Sequence, residues 1–277
     1  MMDQMQNLSA PAADCSTNPK RMSRDARTLI LCYHKFSQVR GERSRYVIPL
    51  DSFGRQVEFL RACGFRFVTF RELIRSWSRN EALPARTAII TIDDGSVDVI
   101  ETAAPMLERK KIPAVVFLIA NHLGRPGNLS VSQIELLSAQ GWEIGSHSLS
   151  HPHLPMLTES EQREEVSESR IKLADLFGKA PETFAYPYGE ADLVTARLAK
   201  EAGYAAALGV KRGFSSIDAP RWNLPRFLID GRWPNRLFGL LIRLESLRFV
   251  LNRRCARTER MARRVCGGTL FFQLRLP

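Results

Sequence analysis

No stretch of the sequence approaches the roughly 18–20 consecutive apolar residues that cross a bilayer, so no membrane-spanning helix is expected. An apolar core is also missing from the amino-terminal segment MMDQMQNLSAPAADCSTNPKR, which carries an acid at its third position. Residues 1–26 therefore read as a disordered leader and not as a signal peptide. Cys15 follows PAAD in the manner of a lipoprotein cysteine but lacks the apolar segment such a cysteine needs. Paired cysteines are absent as well: Cys15, Cys32, Cys63, Cys255 and Cys266 are odd in number and form no C-x-x-C. This argues against a disulfide framework and fits a reduced, cytoplasmic setting. Lysine is missing from residues 221–277, where thirteen arginines stand against three acids and carry +10 of the chain's formal charge of +11. Histidine is scarce: there are five, and none follows His153.

What is present describes a soluble α/β chain. A hydrophobic content of 44% with 25% charged residues supports a packed core, and 277 residues suffice for one large domain or two small ones. TLILCYHKF (28–36) reads as a strand ending in a histidine, and residues 49–65 as a helix capped by Asp51 or Ser52 and closed by Gly64. RFVTF is a short strand and RELIRSWSRN a helix; AIITI, from Ala88, is a buried strand, followed by a helix over DVIETAAPMLERKKI. PAVVFLIA, GWEIGSH, PETFAYPYG, AAALGV and NLPRFLID supply further strands. Between them lie helices at 130–140, over the charged stretch 158–178, and over DLVTARLAKEAGY. Strands alternating with helices in this way predict a mostly parallel sheet, open or closed into a barrel. In either form chemistry gathers at the carboxyl ends of the strands, where His34, Asp93, Asp94, His147 and Tyr188 all fall.

Two carboxylates at one strand end, Asp93 and Asp94, suit a division of labour in which one binds a metal and its neighbour stays free to accept a proton. A helix cap explains an isolated Asp-Asp-Gly equally well. His147 and His151, four residues apart in GSHSLSHPHL, would share a face on a helical turn. Two imidazoles and one carboxylate make a recurrent site for a divalent metal with open positions. His122 and His153 are read as non-ligands.

TIDDG (91–95), HSLSHP (147–152) and FAYPYG (184–189), in this order, resemble the motifs of the polysaccharide deacetylases of carbohydrate esterase family 4. LCYHKF, KKIPAVVFLI, GWEIGSHS and LAKEAGYAAALG add to the resemblance, which covers roughly residues 28–230. It implies a distorted (β/α) barrel and removal of N-acetyl groups from N-acetylglucosamine-type sugars in a poly- or oligosaccharide. It further implies that Asp93 is the general base and that Asp94, His147 and His151 hold a divalent metal, zinc above others. The backbone N–H of Tyr188 would stabilise the oxyanion, and Pro187 and Tyr188 would border the sugar. The sequence departs from the family pattern in three places. The arginine that many members carry two residues before the proline of the Pro-Tyr-Gly turn is Ala185 here, and Arg226 is the candidate replacement, grouped with the substrate-binding residues. The late Asp-x-x-Asp-Trp motif has only Asp230-Gly-Arg-Trp233 in its place. The carboxyl-terminal Leu-x-Leu-His is absent, and His34 at the end of the first strand is expected to act in its stead as general acid. That order matches members acting on extracellular poly-N-acetylglucosamine, whose barrel is circularly permuted.

Three alternatives stand beside this reading: a deacylase of lipid-linked amino sugars, a hydrolase of non-sugar amides, and a catalytically silent glycan-binding barrel. The expected organisation is a leader (1–26), a catalytic domain (27–234) and a basic carboxyl-terminal extension (235–277). Within the extension, residues 236–265 place leucines at helical spacing among arginines. This suits either a helix covering the core or contact with an anionic membrane surface, the latter fitting a peripheral place on its inner face. No nucleic-acid partner is expected, since the arginines are not interleaved with aromatics on a recognisable module.

Overall fold

The computed structural model describes residues 27–265 apart from 40, 41, 43, 82, 217 and 218; of residues 252–265 it describes the backbone alone. The expected leader and the thiols of Cys15, Cys255 and Cys266 lie outside the described residues. Cys32 and Cys63 are free thiols.

The chain begins with β1 (Arg27–Tyr33), β2 (Lys35–Ser37), β3 (Val47–Pro49), α1 (Leu50–Ala62), β4 (Arg66–Phe67), α2 (Phe70–Arg79) and β5 (Arg86–Ile92). It continues through α3 (Ala104–Arg109), β6 (Ala114–Leu118), α4 (Val131–Ala139), β7 (Glu143–Ser146), α5 (Glu159–Phe177), β8 (Thr183–Ala185), α6 (Leu193–Glu201) and β9 (Ala206–Leu208). It ends with β10 (Phe227–Leu228) and the long α7 (Asn235–Val265). The main sheet has eight strands; its path runs β10-β1-β5-β6-β7-β8-β9, with β4 attached to β5, and every pairing is parallel.

Alternation along the strands sets two faces. Leu29, Leu31 and Tyr33 of β1, with Ala88, Ile90 and Ile92 of β5, pack outward among α1, α3, α4 and α7. Ile30, Ile89, Val115, Phe117, Ala185, Leu208 and Leu224 pack inward against Phe70, Leu73 and Trp77 of α2. Successive strand residues point to opposite faces, so a parallel sheet buried on both sides needs the continuous apolar runs found here. The sheet is rolled, and residues 221–228 draw its edges together: the Gly209 N–H donates to Leu224 O at 3.0 Å on the β9 side. Three residues later Phe227 pairs with Leu31 of β1. This is the expected distorted (β/α) barrel.

Several local expectations are revised. Pro49, not Asp51 or Ser52, precedes the first turn of α1, and no side chain caps it. Phe70 of RFVTF belongs to α2, whose Thr69 and Glu72 form a capping box. The single helix expected over 98–112 is a π-helical turn at Val99–Ala103 followed by α3, because Pro105 has no N–H to offer Glu101. Of NLPRFLID only Phe227 and Leu228 are strand. Past residue 234, Phe238 and Ile242 of α7 are buried in the main core.

Candidate active site

β1 and β5 place the first half of the site by register. Tyr33 lies opposite Ile92 and Cys32 opposite Thr91, and the Asp93 N–H donates to Tyr33 O at 2.9 Å. His34 thus ends up beside Asp93, with Cys32 and Thr91 one step earlier on the same inward face. A ligand atom of each of Cys32, His34 and Asp93 lies within 4.8 Å of the others.

Asp93 is 2% exposed, yet neither oxygen is abandoned. Oδ1 accepts from Arg226 Nη1 at 2.7 Å and Oδ2 from Cys32 Sγ at 3.4 Å. Burial alone would raise the Asp93 pKa; Arg226 first, then His147 and His34, outweigh it and hold the carboxyl well below the ordinary range. Arg226 is itself fully buried. Its Nε donates to Gly209 O at 2.8 Å, and its guanidinium lies 5.5 Å from the centre of the Phe117 ring. Burial works against its charge, and Asp93 more than restores it. Standing between Leu224, which bridges to Leu208 of β9, and Phe227 of β10, which pairs with β1, it reaches Asp93. An arginine with no exposed surface borders no sugar, so its expected place among the substrate-binding groups is corrected to that of charge partner of Asp93. Pro187 is likewise buried, at the start of the Pro187–Gly189 turn. Tyr188 is half exposed.

The second half comes from turns. Asp94, Ser148, His151 and Tyr188 all have left-handed backbones, with φ of 72°, 66°, 68° and 58°. Each costs a non-glycine residue roughly 1–2 kcal/mol, and strain of this kind collects at functional sites. Residues 147–153 are irregular, so the expected helical turn does not carry the histidine pair. The loop is held instead by the Ser148 hydroxyl, which accepts from the His151 N–H at 2.8 Å, and by Glu165 of α5. That carboxylate accepts the N–H groups of Leu149 and Ser150, each at 2.9 Å. The result brings Asp94, His147 and His151 together with ligand atoms within 4.8 Å of one another. Asp94 Oδ1 is 3.5 Å from His147 Nε2 and 3.6 Å from His151 Nε2, and the two Nε2 atoms are 3.2 Å apart.

The Nδ1 of His147 faces Ala185 O at 2.7 Å. A carbonyl can only accept, so Nδ1 carries a proton and Nε2 is the atom turned towards Asp94 and His151. Burial, then the neighbouring His147, lowers the His151 pKa to about 4, so its ring is neutral at pH 7. Two imidazole lone pairs and a carboxylate oxygen converging on one point suit a divalent cation. Burial also lowers the His34 pKa, partly offset by Asp93 and Asp94, and its Nδ1 is buried without a hydrogen-bond partner. His153 stacks on the Tyr188 ring at 3.7 Å and bonds Glu190 at 2.9 Å; it stays outside the cluster.

Sequence reasoning did not place Cys32, Ser148 or Glu165 at the site. Cys32 carried a signal, since it stands two residues before His34 on a strand; Glu165, one of many charged residues along α5, carried none.

The polysaccharide deacetylase family model matches residues 80–207, a span holding Asp93, Asp94, His147, His151 and Tyr188 but neither His34 nor Arg226. A putative polysaccharide deacetylase, YxkH of Bacillus subtilis (strain 168), is 25% identical over 222 residues, covering 80% of this chain and 78% of the relative. The poly-beta-1,6-N-acetyl-D-glucosamine N-deacetylase of Staphylococcus aureus (strain MSSA476) is 24% identical over 240 residues, 77% of this chain and 82% of that protein. Among solved structures, IcaB from Ammonifex degensii superposes with a TM-score of 0.69 at 27% identity, covering 78% of this chain and 96% of that one. Family model, relatives and fold agree with the three ordered motifs: over residues 80–207 the chain is similar to the polysaccharide deacetylases.

Proposed function

We propose that this protein is a metal-dependent hydrolase that removes N-acetyl groups from N-acetylglucosamine units of a poly- or oligosaccharide. The observation that carries the reading is the pairing of two unlike centres. Three potential metal donors, Asp94, His147 and His151, converge next to a separate buried carboxylate, Asp93, whose charge is fixed by Arg226. A polysaccharide substrate agrees with the names of the relatives, among them the poly-beta-1,6-N-acetyl-D-glucosamine N-deacetylase of Staphylococcus aureus.

Asp94, His147 and His151 would hold the metal, and the donor set of two imidazoles and a carboxylate favours zinc. When bound, such an ion supplies Lewis acidity to the amide carbonyl and to the attacking water. Asp93 then takes a proton from that water as its oxygen bonds to the acetyl carbon. Arg226 keeps the base ionised and oriented while this happens. The Tyr188 N–H is assigned to the carbonyl oxygen as it gains charge, and the exposed Tyr188 ring to the rim of the sugar site. His34 delivers a proton to the nitrogen as the C–N bond breaks, giving acetate and a free amine. Because His34 is neutral beforehand, its proton is the one Asp93 has drawn from water, and an acid as strong as protonated Asp93 readily passes it on. The first strand thereby does the work that the family resemblance gives to a carboxyl-terminal histidine, which is the permuted order.

The test is acetate release from β-1,6-linked N-acetylglucosamine oligomers by the zinc-loaded protein. Release should vanish on chelation, return with zinc, and be lost in Asp93→Asn with zinc still bound. A protein that binds zinc yet frees no acetate from any N-acetylated glycan would overturn the reading.

A further inference from the structure

The helix α7 has two apolar faces. Phe238 and Ile242 are buried, and Leu241 and Phe249 pack against the same core. Phe238 meets the Phe59 ring of α1 at 5.9 Å, and Phe249 meets Phe214 at 5.7 Å. On the opposite side Leu240, Leu244, Leu247 and Leu251 are each more than half exposed. At 3.6 residues per turn they form one continuous line along the helix. Four aligned leucines in water are not the scattered exposure normal for a surface; a patch of this kind marks contact with another apolar phase.

The flanks identify that phase. Arg236 and Arg243 border the leucine line on one side and Arg248 on the other, all three exposed. Over the whole helix nine arginines and no lysine stand against Glu245 and Glu259. Guanidinium groups bind phosphate oxygens bidentately. A second copy of the chain would bring the same positive borders against these, whereas an anionic headgroup layer neutralises them. No helix among the described residues is long and apolar enough to cross a membrane. We infer that the outer face of α7, with Leu240, Leu244, Leu247 and Leu251 lowered between arginines, is a docking surface for an anionic lipid bilayer, on which the helix lies flat. The face is independent of the barrel site and of the reaction proposed for it.

Flotation of the full chain with phosphatidylcholine vesicles, with and without phosphatidylglycerol, tests this. Binding is expected only where phosphatidylglycerol is present, and should weaken with salt. The triple variant Leu240→Ser, Leu244→Ser, Leu247→Ser should lower partitioning about tenfold or more. The pair Arg243→Gln, Arg248→Gln should lower it roughly fivefold per charge. Neither set touches the barrel site, so circular dichroism and metal binding should stay as in the parent. Failure of the parent chain to float with anionic vesicles overturns the inference. So does undiminished flotation of the leucine variant, which would leave only diffuse electrostatics. A concentration-dependent dimer abolished by the leucine changes, with no vesicle binding, would overturn it in favour of a second copy.

Discussion

Take the Arg226 guanidinium away and Asp93 keeps its burial but loses the charge that opposes it. Burial then raises the carboxyl pKa, so the acid limb of kcat/KM should move to higher pH in Arg226→Gln, with activity depressed at pH 7 and partly recovered on alkaline addition. An unshifted limb would show that Arg226 does not set the base. An uncompensated buried carboxylate also costs about 3–5 kcal/mol of stability. Urea denaturation should therefore find Arg226→Met far weaker than the double variant with Asp93→Asn, which removes both charges. A second prediction follows from His151, whose pKa falls from 6.5 to about 4 in the metal-free fold. The unfolded chain binds this proton at a higher pH than the folded one does, so stability rises with pH through that interval. Metal-free protein should hold its full margin above about 6.5 and lose it progressively as the pH falls towards 4. The loss should flatten in His151→Gln, as measured by urea midpoints across the range. At this scale the sequence was unusually informative, because Asp93, Asp94, His147 and His151 lie in short motifs at strand ends. The pairing of Arg226 with Asp93 was open only to a guess, since 133 residues separate them and only the closing of the barrel joins them.

At the scale of elements, the site rests on how loops are tied to helices. Glu165 fastens the histidine loop to α5 through the N–H groups of Leu149 and Ser150, leaving Ser148 and His151 in their left-handed conformations. Removing such an outer support of a metal ligand typically costs 10–100-fold in affinity. Zinc titration of Glu165→Ala should show a loss in that range with unchanged far-ultraviolet circular dichroism; parent-like affinity would mean that the loop holds its shape alone. Gly145 imposes a tighter condition. A Cβ there would lie 2.4 Å from the Phe117 ring, the same ring that lies under Arg226. Gly145→Ala should therefore lower the melting temperature and also reduce activity beyond what stability explains, since displacing Phe117 disturbs the partner of the base. Periodicity read the helices well where Ser130, Thr158 and Asp192 cap them. It failed where the backbone leaves regular geometry: the π-helical turn before Pro105, and the histidine loop, whose residues meet through left-handed turns that no hydrophobic period encodes.

For the whole molecule, the question is where the folding unit ends. Composition places a boundary at 234, where the basic segment begins, but composition is blind to the face a helix turns inward. Phe238 and Ile242 fill the main core, and Gly239 lets α7 approach so closely that a Cβ there would stand 3.1 Å from the Phe59 ring. A chain ending at 234 would strip this cover from α1 and leave Phe59 facing water. Deleting one large buried apolar side chain costs about 2–5 kcal/mol, and two go at once here, against a total stability of only about 5–15 kcal/mol for a typical domain. Truncation after residue 234 should thus yield aggregated or molten protein. Truncation after residue 251, which keeps Phe238, Ile242 and Phe249, should stay folded and bind zinc with parent affinity. Thermal melts of the two truncated chains decide the matter. If the shorter one melts cooperatively near the parent temperature, α7 is an appendage; if only the longer one does, the barrel and the first turns of α7 are one cooperative unit.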